Sequence, residues 1–532
     1  MEKSFLELLK NVEVIKTQGS DVMASSLEYD SRKIKSGAVF FALSGLHTHG
    51  EKYILSAIKN GARAIVHEND LTNFEPNVFY AKVKNARFAM AQISANFYEH
   101  PSKTLKVIGV TGTEGKSSTV SFIWQLLNTL GFKAGYFSTV SYSYGDINEE
   151  QQNPEHQTTP ESTVVQKRLY EMKKNGCEYA IVESSSHGLS ELTARLENLE
   201  FDVGVFINVT EEHLEFHKTF ERYRFDKANL FRKLDKSEHI KNGQKIKSFG
   251  VVNLEDPSAD YFFDATEKDV YGFSTELELT KTDFAKKLNF FLLASNIKEK
   301  KSSINFTITS FETDDRNPSG EKIKKDFNAS IPLAGVFNVQ NILASLLTVH
   351  KITGTSLAKI IDAFAKLKPI TGRMFNVDEG QNFNVLIDYA HTPSSFETIM
   401  PPIAENCHRQ GKKLIAVFGS GGERDRTKRP EQGRIASKYC DIIILTDEDP
   451  RGEDRIELLT MIAEGVENKK IDKTLFIIPD RPLAIRKAFS LCTEGDTVLL
   501  LGKGHENSII FHDYVMPYDE ETEARKALKE LK

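Results

Sequence analysis

The chain has 532 residues, more than a single hydrophobic core usually organises, so its length predicts about three domains of ordinary size. Its 69 basic and 75 acidic side chains give a net charge of -6, with no strong block of either sign outside a local lysine-rich stretch. That balance argues against nucleic acid as a partner. Four scattered cysteines lack metal-ligand spacing, the first residues lack an export pattern, and no apolar run could span a bilayer. We therefore expect a cytoplasmic protein with no membrane span.

The first 103 residues alternate short apolar runs with helical patterns, which predicts a small α/β domain. The predicted strands are 38–43 and 64–66, and the predicted helices are 53–60 and 88–98. The His-Pro-Ser sequence at 100–102 marks the end of this domain.

An apolar run at 105–110 leads into the sequence TGTEGKSS at 111–118 and then into a predicted helix at 119–130. Such a strand-loop-helix unit holds nucleotide phosphates, because glycines let backbone N–H groups approach the oxygens and the helix N-terminus adds positive charge. The glycines are Gly112 and Gly115. Val110 stands where the long form of this loop has its first glycine, so the sequence is the shorter TGTxGK[ST] variant.

Side chains of the loop supply the remaining phosphate chemistry. Lys116 brings a full positive charge, and the Ser117 hydroxyl can bind Mg²⁺. Further apolar runs at 179–183 and 201–208 end in polar residues, which predicts a parallel sheet with its site at the carboxyl ends of the strands.

Three residues at the ends of these runs or after them form a candidate set for phosphoryl transfer. Glu183 ends one strand, His213 follows the next, and Lys227 lies in a helical pattern. Each alone is a weak signal, since a lone histidine after a strand is usually a loop or packing residue and a lone lysine is usually a surface charge. Together they are plausible, because phosphoryl transfer needs positive charge, usually Mg²⁺ held by oxygen ligands.

Later residues predict two further regions. Alternating polar and apolar residues at 303–309 predict antiparallel strands within the region 254–330, and the charged stretch 314–325 is typical of a solvated loop rather than a recognition tail. A final domain begins near residue 369. Its four predicted buried strands are 384–388, 413–418, 441–446 and 496–501. With helices between them, these predict a second α/β unit.

Ordered motifs along nearly the whole chain resemble those of the Mur ligases, the ATP-dependent amide-forming family of peptidoglycan synthesis. The chain resembles most the members that add the third, diamino residue to UDP-N-acetylmuramoyl-L-alanyl-D-glutamate. The motifs are DSR at 30–32, TGTEGKSS at 111–118, QTTPES at 157–162, ESSSHGL at 183–189, EEHLEFH at 211–217, GVFNVQN at 335–341, GRM at 372–374, DYAHTP at 388–393, residues 419–430 and GKGHE at 502–506.

The resemblance implies a three-domain α/β fold. It consists of an N-terminal UDP-substrate-binding domain at 1–103, a central ATP-binding domain at 104–368 with a parallel sheet like that of P-loop ATPases and an added antiparallel sheet, and a Rossmann-like, amino-acid-binding domain at 369–532. It implies that ATP and Mg²⁺ are bound. The implied ATP residues are Gly112, Thr113, Gly115, Lys116, Ser117, Ser118, Asn338, Asn341, Arg373, Asp388, Tyr389 and His391.

The resemblance also assigns metal and catalytic roles. Ser117 is implied to bind a first Mg²⁺, and Glu183 and His213 a second. Lys227 falls on the family's carbamylated lysine, and a carbamate explains how a lysine can help to hold a cation. Two substitutions depart from the usual motifs: Glu114 replaces an asparagine and Ser184 a valine, and neither removes a group that the mechanism requires.

The implied partners are a UDP-N-acetylmuramoyl dipeptide and a free diamino acid. The implied UDP-substrate residues are Ser31, Thr158, Thr159, Ser185 and Arg195, although the spacing before Arg195 departs from better-known members. The implied mechanism phosphorylates the D-glutamate γ-carboxylate, and the incoming amino group attacks the acyl phosphate. The resemblance requires domain closure over the nucleotide, and we expect a monomer.

The implied amino-acid residues are Arg424, Glu448, Asp449, Arg451, Gly502 and Glu506. Members that add meso-diaminopimelate usually read DNPR where this chain reads EDPR, so one more negative charge lies beside Arg451. An added carboxylate can pair with Arg451 or attract a distal ammonium, which favours L-lysine or L-ornithine. If Glu448 and Asp449 are instead structural, Arg451 is available for a distal carboxylate and meso-diaminopimelate is the expected substrate.

Two rival functions differ in what they require. Folylpolyglutamate synthetases share the nucleotide core, but lack the domain that carries DSR and the combination of YAHTP with the EDPR-like motif. A nucleotide-binding protein without chemistry would need none of Glu183, His213 and Lys227. The lysine-rich region near 280–325 gives no indication of a role.

Overall fold

The computed structural model describes residues 2–45, 49–155, 157–300, 303–313 and 322–531. Contacts between residues divide the chain into two compact units. The first unit consists of Met1–Leu293, Thr309–Lys325 and Ile342–Ile361, and the second of Ala294–Ile308, Asp326–Asn341 and Asp362–Lys532.

A small sheet is formed by the amino-terminal residues of the first unit. Its strands, in spatial order, are Val14–Gln18, Phe79–Val83, Ala62–His67, Ala38–Phe41 and Ser26–Glu28. All neighbours are parallel except the first pair. Its α-helices are Phe5–Leu8, Ile54–Lys59 and Ala86–Phe97, with short 3-10 helices at Ser31–Lys33, Gly50–Tyr53 and Pro101–Lys103, and Lys3–Ser4 pairs with Met23–Ala24.

A larger sheet follows. Its strands, in spatial order, are Gln151–Gln152, Ser141–Ser143, Ala134–Phe137, Tyr179–Glu183, Lys106–Thr111, Val203–Phe206, Phe249–Asn253, Asp269–Ser274, Phe290–Lys300, Ser303–Glu312 and Ile323–Ile331. From Ala134–Phe137 to Phe290–Lys300, each neighbouring pair is parallel. The phosphate-loop strand Lys106–Thr111 lies between Tyr179–Glu183 and Val203–Phe206, so the polar residues that follow these three strands meet at one edge.

Helices cover this sheet because its strands are apolar on both faces. The helices between residues 116 and 366 are Lys116–Thr129, Ser162–Lys174, Ser186–Leu189, Leu214–His217, Phe220–Leu234, Ala259–Phe263, Asp283–Lys287, Asn338–Thr353 and Leu357–Ala363, with 3-10 helices at Leu277–Lys281 and Phe364–Lys366. A hairpin joins Ile240–Lys241 to Gln244–Lys245.

The carboxy-terminal region has its own sheet in the second unit. Its strands, in spatial order, are Phe375–Asn376, Asn384–Asp388, Thr497–Leu501, Leu414–Phe418, Ile442–Leu445 and Leu475–Ile477, all parallel except the first pair. Successive residues of one strand enter different cores: Ala416 packs in one cluster and Val417 in another. Both faces are therefore buried, as in a doubly wound sheet.

Helices on these two faces are Pro393–Arg409, Lys428–Tyr439, Arg455–Ala463, Arg481–Ser490 and Glu520–Glu530, and a hairpin pairs Ser508–Ile510 with Val515–Pro517. No helix within the described ranges is long and apolar enough to cross a membrane.

The predicted α/β fold with a central, largely parallel sheet is confirmed. Three local predictions need correction. The helix after the phosphate loop begins at Lys116 rather than at residue 119. The strands at 303–309 exist, but they continue the central sheet instead of forming a separate one. The predicted loop 314–325 lies outside the described residues up to 321, and residues from Ile323 belong to a strand.

Candidate active site

The phosphate loop is held by hydrogen bonds of its own. Gly115 adopts a left-handed conformation (φ 79°) just before the helix, which allows the sharp turn into Lys116. The Lys116 ammonium donates to the carbonyl oxygens of Gly112 (2.9 Å) and Thr113 (2.6 Å). A bound phosphate competes with these carbonyls for the same ammonium, so Lys116 can exchange one set of oxygens for the other.

Glu183 stands beside the loop and is almost completely buried (1% exposed). The Ser117 hydroxyl donates to both of its oxygens (3.1 and 3.0 Å), and the backbone amide and hydroxyl of Thr139 donate to them as well (2.7 and 3.0 Å). Each of these donors is neutral. A buried carboxylate that accepts only from neutral groups keeps its negative charge available for a cation.

Lys227 is buried in the same region, on the helix Phe220–Leu234. Its ammonium donates to the carbonyl oxygen of Gly112 at 2.6 Å and lies 4.4 Å from the centre of the Tyr223 ring. Burial, and then the neighbouring charge of Lys116, hold the pKa of Lys227 well below its ordinary value. A neutral amine is therefore more populated here than on an exposed lysine.

His213 also lies near Tyr223. The two rings are 6.2 Å apart, and the Tyr223 hydroxyl is 3.1 Å from the hydroxyl of Thr113 in the phosphate loop. The imidazole is partly exposed and lies near two carboxylates, Glu215 at 3.4 Å and Glu212 at 3.7 Å. Tyr223 thus connects His213, Lys227 and the phosphate loop.

Whether these residues suit Mg²⁺ depends on the donors they offer. Among the described residues, no three His, Cys, Asp or Glu side chains converge as a ready-made metal cage. Magnesium seldom uses such a cage: it binds one or two protein oxygens, several waters and the substrate phosphates. Ser117 and Glu183 offer that kind of partial oxygen set next to the phosphate loop, so the donor chemistry fits the ion.

The residues implied for the UDP substrate fall into two places. The Thr159 hydroxyl donates to the Glu183 carbonyl (2.8 Å) and accepts from the Ser185 amide (2.9 Å). Arg195 donates to the Thr159 carbonyl at 3.0 Å and pairs with Glu161 at 3.0 Å. The structure thus brings Thr159, Ser185 and Arg195 together beside the Glu183 strand.

Ser31 and Thr158 are placed differently. Ser31 opens the short helix Ser31–Lys33 in the amino-terminal region, where its carbonyl accepts from Asn60 at 2.9 Å. Thr158 is partly exposed next to Thr159. Arg87, from the amino-terminal region, reaches the Glu161 carboxylate at 3.3 Å. The amino-terminal region therefore contacts the carboxylate that also orients Arg195.

In the second unit, the residues implied for the nucleotide surround Tyr389. Buried Asp388 accepts from the amides of Met374 and Ala390 (2.8 Å each), and burial raises its pKa. The Arg373 guanidinium lies 5.0 Å from the Tyr389 ring, and His391 contacts that ring at 4.8 Å. Asp388 therefore shapes the turn that presents the other side chains.

Asn338 and Asn341 lie on the first turn of the helix Asn338–Thr353, also in the second unit. The Asn338 amide donates to the Ala334 carbonyl at 2.7 Å, and the Asn341 amide donates to the Asn338 side-chain oxygen at 3.2 Å. The two amides therefore form one hydrogen-bonded pair at the helix start.

The residues implied for the amino acid form a buried ionic group. Lys503 pairs with Asp449 at 2.9 Å and with Glu506, and Asp449 also accepts from the Ile510 amide at 3.0 Å. Glu448 is partly buried beside them, and one of its oxygens, Oε2, has no hydrogen-bond partner within the described chain. Burial raises the pKa of Glu448, and the positive charges of Lys428 and Lys503 partly oppose that rise. Lys503 forms ion pairs with the other two carboxylates only.

Arg451 does not join this group. Its side chain makes no hydrogen bond or ion pair with any described residue, and its backbone amide donates to the Ile510 carbonyl at 3.0 Å. Of the two alternatives for an added carboxylate, pairing with Arg451 is not found among the described residues, and Asp449 pairs with Lys503 instead. Gly502 (φ 96°) lies against Glu448, where an added Cβ would be 2.8 Å from Oε2, and Arg424 is exposed.

Comparison with known proteins identifies the family. Three family models match: "Mur ligase family, catalytic domain" over residues 24–98, "Mur ligase middle domain" over 110–349, and "Mur ligase, glutamate ligase domain" over 372–504. The chain belongs to the Mur ligase family. It is accordingly an ATP-dependent ligase with the three-domain Mur ligase fold.

Curated relatives of this Mur ligase match along almost its full length. A UDP-N-acetylmuramyl-tripeptide synthetase of Treponema denticola is 57% identical, and the match covers 99% of this chain and 98% of the relative. A UDP-N-acetylmuramoyl-L-alanyl-D-glutamate--2,6-diaminopimelate ligase of Caldanaerobacter subterraneus is 35% identical over 99% and 98%.

Solved structures share the fold of this Mur ligase. A UDP-N-acetylmuramoyl-L-alanyl-D-glutamate--2,6-diaminopimelate ligase structure matches with a TM-score of 0.60 at 25% identity, covering 100% of this chain and 99% of the other. The MurF ligase of Thermotoga maritima, solved with ADP, matches with a TM-score of 0.60 at 19% identity over 95% and 98%. A folylpolyglutamate synthase of Mycobacterium tuberculosis covers 77% of this chain, with a TM-score of 0.56 at 13% identity.

Several residues around the site were missed from the sequence. Asn208 accepts from the amides of Thr113 and Glu114 (3.0 and 2.8 Å) and so braces the phosphate loop of the Mur ligase. A polar residue just after the strand Val203–Phe206, next to the phosphate-loop strand, was the available signal. Thr139 and Lys503 gave weaker signals, because their roles depend on carboxylates far away in the sequence.

Proposed function

We propose that this Mur ligase adds a diamino acid to the D-glutamate of UDP-N-acetylmuramoyl-L-alanyl-D-glutamate in peptidoglycan synthesis, with L-lysine or L-ornithine preferred over meso-diaminopimelate. The observation that carries the proposal is the full-length match at 57% identity to a protein named UDP-N-acetylmuramyl-tripeptide synthetase. The phosphate loop with Lys116, Ser117 and Glu183 supports the phosphoryl-transfer half of the reaction.

The proposed reaction has two steps. In the first, an oxygen of the D-glutamate γ-carboxylate attacks the γ-phosphorus of ATP, the bond to the bridging oxygen breaks, and ADP leaves. In the second, the neutral amino group of the diamino acid attacks the acyl carbon, a proton is lost, and inorganic phosphate leaves from the tetrahedral intermediate. Lys116 and the amides of the phosphate loop stabilise the negative charge on the transferred group.

Ser117 would hold a first Mg²⁺, and Glu183 with His213 a second, and these ions would supply positive charge next to the phosphates. Lys227, whose ammonium lies 4.4 Å from the centre of the Tyr223 ring, would complete that second site beside His213, which lies 6.2 Å from the same ring. We propose that Lys227 does this as a carbamate, formed when its neutral amine attacks carbon dioxide and loses a proton. Its complete burial and its contact with the Gly112 carbonyl support this, because a buried ammonium beside Lys116 is costly whereas a carbamate there would attract cations.

The preference for lysine or ornithine rests on the charges near Lys503. Three carboxylates, of Glu448, Asp449 and Glu506, are opposed there by two lysines, Lys503 and Lys428, and Glu448 Oε2 has no hydrogen-bond partner among the described residues. A distal ammonium would offset this excess of negative charge. Arg451 supports the other outcome, because its side chain, which makes no hydrogen bond or ion pair with any described residue, could bind the distal carboxylate of meso-diaminopimelate.

The test is a set of parallel reactions with ATP, Mg²⁺ and UDP-N-acetylmuramoyl-L-alanyl-D-glutamate, each with L-lysine, L-ornithine or meso-diaminopimelate. Phosphate release gives the rate, and mass spectrometry identifies the product. We expect the highest kcat/KM with lysine or ornithine. A preference for meso-diaminopimelate would show that Arg451 dominates the choice, and no product with any of the three would contradict the assigned step. Lys116→Ala serves as the control for ATP-dependent turnover.

A further inference from the structure

Arg481 is a buried charge that the proposed chemistry does not use. It is the first residue of the helix Arg481–Ser490, and its side chain has no exposed surface. Burying a guanidinium is costly unless its donors are matched, so the partners of Arg481 indicate what it holds in place.

Its partners come from three separate segments of the second unit. The guanidinium forms a two-pronged pair with Glu520, with Nε–Oε2 at 2.8 Å and Nη2–Oε1 at 2.5 Å. The same group donates to the Leu501 carbonyl at 2.8 Å and to the Asp447 carbonyl at 3.0 Å. Tyr518 donates its hydroxyl to Glu520 Oε2 at 2.5 Å, the oxygen that also accepts from Arg481 Nε, which holds the carboxylate in place.

The two carbonyls lie next to the two loops that contain most of the residues implied for the amino acid. Leu501 is the last strand residue before the 502–506 loop, which carries Gly502 and Glu506. Asp447 immediately precedes Glu448, Asp449 and Arg451. These two loops contain every residue implied for the amino acid except Arg424.

No sheet hydrogen bonds join these two strand ends directly. The strand Leu414–Phe418 lies between Thr497–Leu501 and Ile442–Leu445. Strands two places apart are separated by roughly 9–10 Å, given the usual spacing of about 4.8 Å between neighbours. A guanidinium that donates from two different nitrogens can span such a gap with fixed geometry, whereas a lysine cannot.

We infer that Arg481, oriented by Glu520, is a positioning residue that fixes the 447–451 loop relative to the 502–506 loop and thereby shapes the site for the incoming amino acid. The last helix, Glu520–Glu530, contributes to that arrangement through the hydrogen bonds that Glu520 accepts from Arg481. The inference rests on the proposed function for the identity of the ligand, while the loop positioning itself does not depend on that identity.

The experiment compares wild type with two variants. Arg481→Lys keeps the positive charge but loses the planar guanidinium that donates in two directions. Glu520→Gln keeps the shape of the side chain but loses its negative charge. The matched control is Glu530→Gln, because Arg486 and Glu530 form an exposed ion pair (2.6 Å) between the same two helices without reaching either loop. Each variant is assayed for kcat and for the KM of ATP, UDP-dipeptide and amino acid. Hydrogen exchange of the 447–451 and 502–506 amides is measured on the same proteins without substrates.

We expect Arg481→Lys to raise the KM for the amino acid about 10- to 100-fold, because misplacement by about an ångström has effects of this size. The KM for ATP should change less than about threefold, and exchange should accelerate in both loops. Glu520→Gln should show the same pattern more weakly, and Glu530→Gln should match wild type.

Equal changes in all three KM values, or a lower melting temperature without faster exchange in the loops, would overturn the positioning role in favour of a merely structural one. If wild type forms no product with any diamino acid, the proposed function fails. The exchange data then decide the inference alone: faster exchange in both loops of Arg481→Lys supports it, and unchanged exchange overturns it. If Arg481→Lys does not fold, the KM values and the hydrogen exchange of both loops are compared between wild type and Glu520→Gln alone.

Discussion

The phosphate loop and the amino-acid region hold their charged side chains in opposite ways. Near the loop, Lys116 and Lys227 both donate to the carbonyl of Gly112, and Glu183 accepts from hydroxyls and an amide. In the amino-acid region, Asp449 and Glu506 instead share the charge of Lys503.

This difference relates to the ligands that each region is proposed to bind. Charges held by neutral partners can turn to a phosphate or a cation without breaking an ion pair. Charges that are already paired cost more to rearrange, so they are better suited to present a fixed pattern that selects between similar ligands. The following predictions test this comparison, from the largest expected effect to the smallest.

Replacing Lys227 should have the largest effect. We expect Lys227→Ala to reduce ligation about 1000-fold, because it removes a buried electrostatic group next to the phosphate loop. Phosphate release and product mass measure the loss, and circular dichroism checks folding. Lys227→Arg is the matched variant, since it keeps a cation but cannot form a carbamate. Full activity in either variant would rule out the carbamate.

Glu183→Gln should reduce kcat/KM for ATP about 100-fold, because an amide replaces a buried carboxylate that we propose to hold Mg²⁺. In a titration of Mg²⁺ at fixed ATP, the variant should reach half-maximal rate at a higher Mg²⁺ concentration than wild type. Thr139→Val is the control: it removes only a neutral donor to Glu183 and should change the rate by less than about tenfold. An unchanged Mg²⁺ dependence in Glu183→Gln would place the ion elsewhere.

Asp449→Asn should change selectivity more than rate. Removing one negative charge beside Lys503 should lower the kcat/KM ratio of lysine to meso-diaminopimelate by about tenfold, equivalent to about 1.4 kcal/mol. Parallel assays with the two amino acids give the ratio. Asp513→Asn changes net charge equally at an exposed site and should leave it unchanged. A ratio that stays constant in Asp449→Asn would mean that this carboxylate has only a structural role.

Glu453→Gln tests the stability that such internal ion pairs provide. Glu453 pairs with buried Arg429 at 2.9 Å, and the hydrogen bonds from Arg429 lower the pKa of Glu453 to about 2. The contribution is therefore complete above the unfolded pKa near 4.5 and is lost as pH falls toward 2. We expect a loss of about 1–3 kcal/mol at pH 7 by urea denaturation, with a smaller difference at pH 4.

The control for that measurement is Glu431, which lies on the same helix as Arg429. Glu431 pairs with Arg434 at 2.6 Å, but both side chains are nearly half exposed. Glu431→Gln should therefore change stability by less than about 1 kcal/mol at pH 7. Equal effects of the two substitutions would show that burial does not distinguish these pairs.

Contiguous sequence patterns gave reliable predictions of structure. The strand before the phosphate loop, the strands at 179–183 and 384–388, and the α/β class were all found from short apolar runs with flanking glycines and polar residues, because local chain geometry produces those patterns. The strand Leu475–Ile477 was missed because a three-residue apolar run carries little periodicity. The extension of the central sheet by 303–312 was also missed, since pairing between strands depends on distant residues.

The sequence by itself determined the family, the phosphate loop and the identity of most candidate site residues, because these depend on motifs a few residues long. Only the tertiary structure decided which charges are partners. Lys503 rather than Arg451 pairs with Asp449, and Arg481 joins the ends of two strands that are distant in sequence. Such pairings follow from burial, since a buried charge must find a counter-charge or a carbonyl wherever the packed chain supplies one.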